Sequence, residues 1–99
     1  MVMLMLEKKQ PYLKSPTEDI DFGINWAPLL KTGEAITDSQ WTAPVSLIVS
    51  RQQVVGLVTS CYIAGGESDT KVKVFNKITT SLGGIYERFF EIEIEDIQV

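Results

Sequence analysis

Two stretches near the end of this chain alternate so strictly that they leave little freedom in how it folds. TKVKVFNKITT puts Val72, Val74, Asn76 and Ile78 on one side and Lys71, Lys73, Phe75 and Lys77 on the other. YERFFEIEIE puts Phe90, Ile92 and Ile94 on one side and Glu87, Phe89, Glu91 and Glu93 on the other. A side-chain period of two belongs to a β-strand with one buried face. A hairpin turning through Ser81, Leu82 and Gly83 pairs Lys71 with Glu93, Lys73 with Glu91, Phe75 with Phe89 and Lys77 with Glu87. A three-residue loop with glycine in the left-handed region is a common hairpin type. A slip by one residue would turn the lysines toward the core, which fixes the parity. Exposed ion pairs contribute about 0–1 kcal/mol each, so these pairs are expected to set register more than stability.

The rest of the chain follows the same logic. Ile20, Phe22 and Ile24 share a face, with Asp19, Asp21 and Gly23 opposite. AITDSQWTA, ended by Pro44, reads as a second strand. VSLIVSR is a third, with Val45, Leu47 and Val49 in phase. GLVTSCYI is a fourth, with Leu57, Cys61 and Ile63 in phase. Between the first two, Trp26, Leu29 and Leu30 anchor a turn and Gly33 marks a reversal. AGGESD supplies another turn, since Gly65 and Gly66 tolerate positive φ. Short strands at regular spacing predict an all-β fold, a small antiparallel β-sandwich or barrel. At 99 residues the chain is long enough for one domain with a modest core.

Residues 1–16 differ in character and are expected to form an extended N-terminal arm, ahead of a sandwich domain over 17–99. Pro11 and Pro16 restrict the path. The apolar start (Met1, Val2, Met3, Leu4, Met5 and Leu6) has two readings. It is a first strand on the domain's own sheet, or a strand that docks on a neighbouring subunit. Met1 to Leu6, with Tyr12, are the candidate partner-binding residues. The start lacks a basic region and a small-residue cleavage site, so it is not read as a signal peptide.

Composition removes several function classes. Lys and Arg number 9 against 13 Asp and Glu, for a net charge of -4, so no nucleic acid is expected as partner. No apolar run approaches the ~20 residues of a membrane span, so no membrane is expected either. With no histidine and one cysteine, neither a disulfide framework nor the usual zinc site is expected.

The remaining chemistry has structural explanations. Glu87, Glu91, Glu93 and Glu95 alternate opposite lysines, which marks a solvated face rather than a calcium site. Cys61 lies in phase with apolar neighbours and reads as a core residue rather than a nucleophile. The Gly-Gly pairs lack the lysine and helix of a phosphate loop. Trp26 and Trp41 are expected to close the ends of a core. The competing reading is a sugar-stacking platform with Tyr12 and Tyr62. No catalytic residue, metal ligand or cofactor is assigned, and the chain is not expected to be an enzyme.

The order of segments carries a resemblance. KSPTEDIDFGINWAPLL is followed by GEAITDSQWTAP, then by CYIAGGESDTKVKVFNKITTSLGGIYERFFEIEI. This resembles the immunoglobulin-like fibre-tail adaptor or neck-region proteins of tailed bacteriophages, over about residues 14–95. The matching features are the strand ending in Trp26, the GEAI segment leading to Trp41 and Thr42, the Gly-Gly turn, Asn76 to Thr80, and Glu87-Arg88 after the hairpin. Asn25 stands where an acidic residue is expected, and Ala27-Pro28 where a second aromatic is common. The resemblance implies an immunoglobulin-like sandwich and a non-enzymatic virion protein, assembled in the host cytoplasm. Its implied partners are tail, neck or fibre subunits, with several copies per particle. A capsid decoration protein and a carbohydrate- or cell-surface-binding module are the alternative readings.

Overall fold

A computed structural model describes residues 1–4 and 11–97. Among these residues eight strands run in the order β1 (Val2–Leu4), β2 (Tyr12–Lys14), β3 (Ile20–Asn25), β4 (Ile36–Thr42), β5 (Leu47–Val55), β6 (Val58–Gly65), β7 (Thr70–Thr80) and β8 (Ile85–Ile94). They form two four-stranded sheets, β1-β3-β6-β5 and β2-β8-β7-β4. Apolar residues from both inner faces meet between them, so the chain is a β-sandwich.

The charged hairpin has the register its alternation predicts. Lys71 faces Glu93, Lys73 faces Glu91, Phe75 faces Phe89 and Lys77 faces Glu87. Gly83 takes φ +84 in the loop, and Thr80 N donates to Gly84 O at 2.9 Å to close it. The inward residues Val74, Ile78, Phe90, Ile92 and Ile94 are buried. Phe22, Ile24, Leu47, Cys61 and Ile63 face them from the other sheet. Phe22 and Phe90 stack at 5.3 Å between centroids, and Tyr12 meets both rings edge-on.

The six longer strands are antiparallel, but the two N-terminal ones are not. β1 runs parallel to β3 and β2 runs parallel to β8. A three-residue strand has too short an alternation to be read as one from periodicity. Val2 and Leu4 face inward, and Leu4 is buried in the core. Met1 and Met3 lie outside and cover Gly23, where an added Cβ would meet Met1 Sδ at 2.5 Å.

The third strand differs from its expected span. Val45 is fully exposed, and Leu47 N donates to Pro44 O in a turn before β5 begins. Proline fixes this corner, so Val45 never reaches the sheet. β5 then continues past Arg51, which takes φ +50 where the ladder shifts between Ser50 and Gln53. That shift is a β-bulge, and β4 carries another between Ile36 and Asp38.

Candidate interaction surface

Buried polar groups need partners, and two sets of side chains supply them, one between the sheets and one along the edge of the second sheet. In the first, Trp26 Nε1 donates to Thr59 Oγ1 at 2.9 Å. Thr59 Oγ1 donates in turn to Asn76 Oδ1 at 2.7 Å. Asn76 Nδ2 donates to Ser39 Oγ and to Gln40 O, each at 3.0 Å. Trp26, Thr59 and Asn76 are fully buried, so the chain of bonds ties one sheet to the other without water.

The second set holds the loop before β4 to the end of β7. Glu34 is buried; its Oε1 accepts from Lys31 N at 2.9 Å and its Oε2 from the Thr80 hydroxyl. The Thr80 hydroxyl, with help from the Lys31 amide, holds the Glu34 carboxyl below its ordinary value of 4.5. Ser81 Oγ accepts from Ala35 N, and Ser81 N donates to Ala35 O. Gly33, at φ +84, lets the chain turn into this clamp.

Lys14 was not singled out by its sequence context, yet it is fully buried. Its ammonium donates to Ser15 O and, across the sandwich, to Gly65 O at the end of β6. Burial lowers its pKa from 10.5, opposed by Glu18 and Asp19. A lysine between prolines reads as solvated, and its acceptor lies far away in sequence.

These contacts account for the residues singled out by sequence. The GEAI segment, Trp26 and the Asn76–Thr80 segment are joints of the frame. Asn25 Oδ1 accepts from Ala27 N at 3.1 Å, a bond that an acidic side chain there would also make. Cys61 is buried, and desolvation pushes its thiol up to about 12, so it is no nucleophile. The aromatics do not form a sugar platform. Trp26 is enclosed, Trp41 packs edge-on against Phe90, and Tyr12 lies against Phe22 and Phe90. Tyr62 is on the opposite outer face, beneath the Arg51 guanidinium at 3.6 Å. Among the described residues, no group of three or more histidine, cysteine or acidic side chains could hold a metal ion. Among the same residues no helix is long and apolar enough to cross a membrane.

What the frame leaves outside is surface for contact. On the first sheet Met1 and Met3 are exposed beside β3. Of the candidate partner-binding residues, Val2, Leu4 and Tyr12 point inward, while Met5 and Leu6 lie outside the described residues. On the second sheet Phe75 and Phe89 form a tilted pair at 5.4 Å, with Lys73 Nζ 4.9 Å from the Phe89 ring centre. A shallow polar groove runs between β4 and β5, lined by Thr37, Asp38, Ser39, Gln52, Gln53 and Val54.

No curated protein matches the chain. A family model described as podophage GP4 fiber-tail adaptor protein gp77 matches residues 14–93. The match takes in β3 to β7 and β8 up to Glu93, with both polar joints, reaches β2 only at Lys14 and leaves β1 outside. Built on a β-sandwich that two sets of buried polar side chains tie together, the chain belongs to the podophage fiber-tail adaptor family, a family of bacteriophage virion structural proteins.

Proposed function

We propose that this chain is a non-catalytic connector of the virion, present in several copies, that joins the tail or neck to a fibre or appendage. The observation that carries the reading is the family match over residues 14–93. The strand order supports the immunoglobulin-like form of the sandwich. β3-β6-β5 facing β8-β7-β4, with β1 and β2 at the flanks, corresponds to the B-E-D and G-F-C arrangement of that fold. Assembly takes place in the host cytoplasm on this reading, in keeping with a single buried thiol.

The N-terminal segment Met1 to Leu6 is the proposed contact for a neighbouring virion protein, with Tyr12 bracing it from within. Val2 and Leu4 seat the strand on its own sheet, and Met1 and Met3 face outward. Methionine side chains adapt to irregular partner surfaces. The test is particle composition when the gene is deleted from the phage and supplied back as wild type or Met3→Asp. Deletion should yield tails without the appendage, and Met3→Asp should fold but enter particles poorly. Particles that keep their fibres without the protein would refute the connector role. Its appearance on capsids alone would favour a decoration protein. Normal incorporation of Met3→Asp would remove the arm from the contact.

A further inference from the structure

We propose that the outer face of the β7–β8 hairpin is a self-association surface, on which a second copy of the chain docks face to face about a two-fold axis running along the strands. The argument starts from the charge layout. Lys71, Lys73 and Lys77 form a stripe on β7, and Glu93, Glu91 and Glu87 form the facing stripe on β8. Phe75 and Phe89 interrupt both stripes at the same level. Adjacent strands lie about 4.8 Å apart, so the stripes are neighbours on one face of the sheet.

Within the chain these charges do not neutralise each other at contact. Among the described residues the ion pairs are Met1 with Asp21 and Arg51 with Asp19, and none joins a hairpin lysine to a hairpin glutamate. Lys73 sits instead toward the Phe89 ring. The charges are therefore available to an incoming surface.

A second copy carries stripes of matched sign, order and spacing. Rotation by 180° about an axis along the strands places the β7 of one copy over the β8 of the other. Because Lys73 and Glu91 stand opposite each other in register, each lysine then meets the glutamate of the same level on the second copy. The Phe75–Phe89 pairs meet at the centre. A two-fold axis across the strands would instead set lysine over lysine, so the charge pattern selects one orientation. The interface is isologous and closes at two copies.

The sheet edges favour a face over strand addition. β1 and β2 are three residues long, and β4 and β5 carry bulges at Thr37 and Arg51. Short and bulged edges resist pairing with another chain. The β7–β8 ladder runs from Thr70 to Thr79 without a register shift, so its face is regular.

The test is sedimentation equilibrium of the full chain, with Lys73→Glu and Glu91→Lys as charge reversals at exposed or half-buried positions. Wild type should dimerise and weaken as salt rises. Each reversal sets like charges opposite each other twice and should weaken association about a hundredfold. An equimolar mixture of the two variants should recover it, because every contact in the mixed pair is again between opposite charges. Should a variant melt early by circular dichroism, zero-length carbodiimide coupling of mixed isotope-labelled wild-type chains replaces it, with Lys73–Glu91 peptides expected between chains. A wild-type monomer at every concentration overturns the proposal, as does a dimer indifferent to both reversals or coupling confined within chains. A monomer whose Lys73→Glu variant fails to enter particles also overturns it, and assigns the face to another virion protein.

Discussion

Thr59 in β6 donates its hydroxyl to Asn76 in β7 at 2.7 Å, joining the two sheets through the core. Each residue of the pair has a second obligation. Thr59 accepts from the Trp26 indole, and Asn76 donates to the Ser39 hydroxyl and the Gln40 carbonyl of β4.

Replacing Asn76 by Leu should therefore cost more than one hydrogen bond. It leaves the Thr59 hydroxyl and the Gln40 carbonyl without their partner, at about 1–3 kcal/mol for each group left unpaired. Thr59→Val should also destabilise, and the double variant should cost less than the sum of the two. Denaturant midpoints for the four proteins give the coupling, expected at about 0.5–3 kcal/mol.

Glu34 links stability to acid. Its carboxyl is held below the ordinary value of 4.5, chiefly by the Thr80 hydroxyl, so the folded state binds its proton less readily than the unfolded chain. The resulting stabilisation is present above the ordinary value and is lost as pH falls through the lowered one. The melting temperature of wild type should exceed that of Glu34→Gln at neutral pH. The gap should close on acidification, and Thr80→Val should narrow it at every pH.

Cys61 gives a reading of core integrity. With its thiol pushed up to about 12, it should resist disulfide reagents in the folded protein and react at once in denaturant. The sign at high pH is opposite to that of Glu34. A raised pKa gives stability that is complete below the unfolded value near 9.0 and declines as pH climbs toward 12. Cys61→Ala should lack that alkaline decline.

Leu4 tests the standing of the N-terminal strand. It is buried among core residues, so Leu4→Ala should cost about 2–4 kcal/mol. Removing residues 1–10 should lower the denaturation midpoint further, since the edge of β3 loses its neighbour as well. A truncated protein as stable as the full chain would make β1 an ornament of the sheet.

Lys73→Ala should change the stability of the isolated domain by less than about 1 kcal/mol, as exposed charges do when no ion pair is closed. Equilibrium unfolding at a concentration low enough to keep the chain monomeric checks this. A larger loss would mean that the stripe holds the hairpin itself.

The hairpin was legible because its two strands carry a period, a sign of charge and a glycine turn that all agree. The burial of Cys61 was legible for a related reason, as it sits in phase with apolar neighbours, and that of Trp26 because a large aromatic at a turn closes the end of a core. The polar joints were visible as segments but not as bonds. Asn76 falls on an inward position, yet its partners Thr59, Ser39 and Gln40 come from other strands, and nothing local names them. Lys14 was hidden for the same reason, since its acceptor at Gly65 lies on the other sheet. The turn at Pro44 and the bulge at Arg51 break the period of two, so phase alone misplaced Val45 and ended β5 too early. Parallel addition of β1 and β2 depends on where the chain enters, and three residues hold too little pattern to show it.

The parallel pairing of β2 with β8 has a mechanical consequence. The strand β2, near the start of the chain, lies beside the last strand and points the same way, from Tyr12 beside Ile92 to Lys14 beside Ile94. Tension applied between the segment ahead of β2 and the segment after β8 pulls these neighbours in opposite directions along their length. Their hydrogen bonds are then sheared together instead of being peeled one by one. The Lys14 ammonium, anchored to Gly65 on the far sheet, resists the same displacement. A domain strung between two larger bodies and tugged along its strands would hold until that whole patch gave way at once.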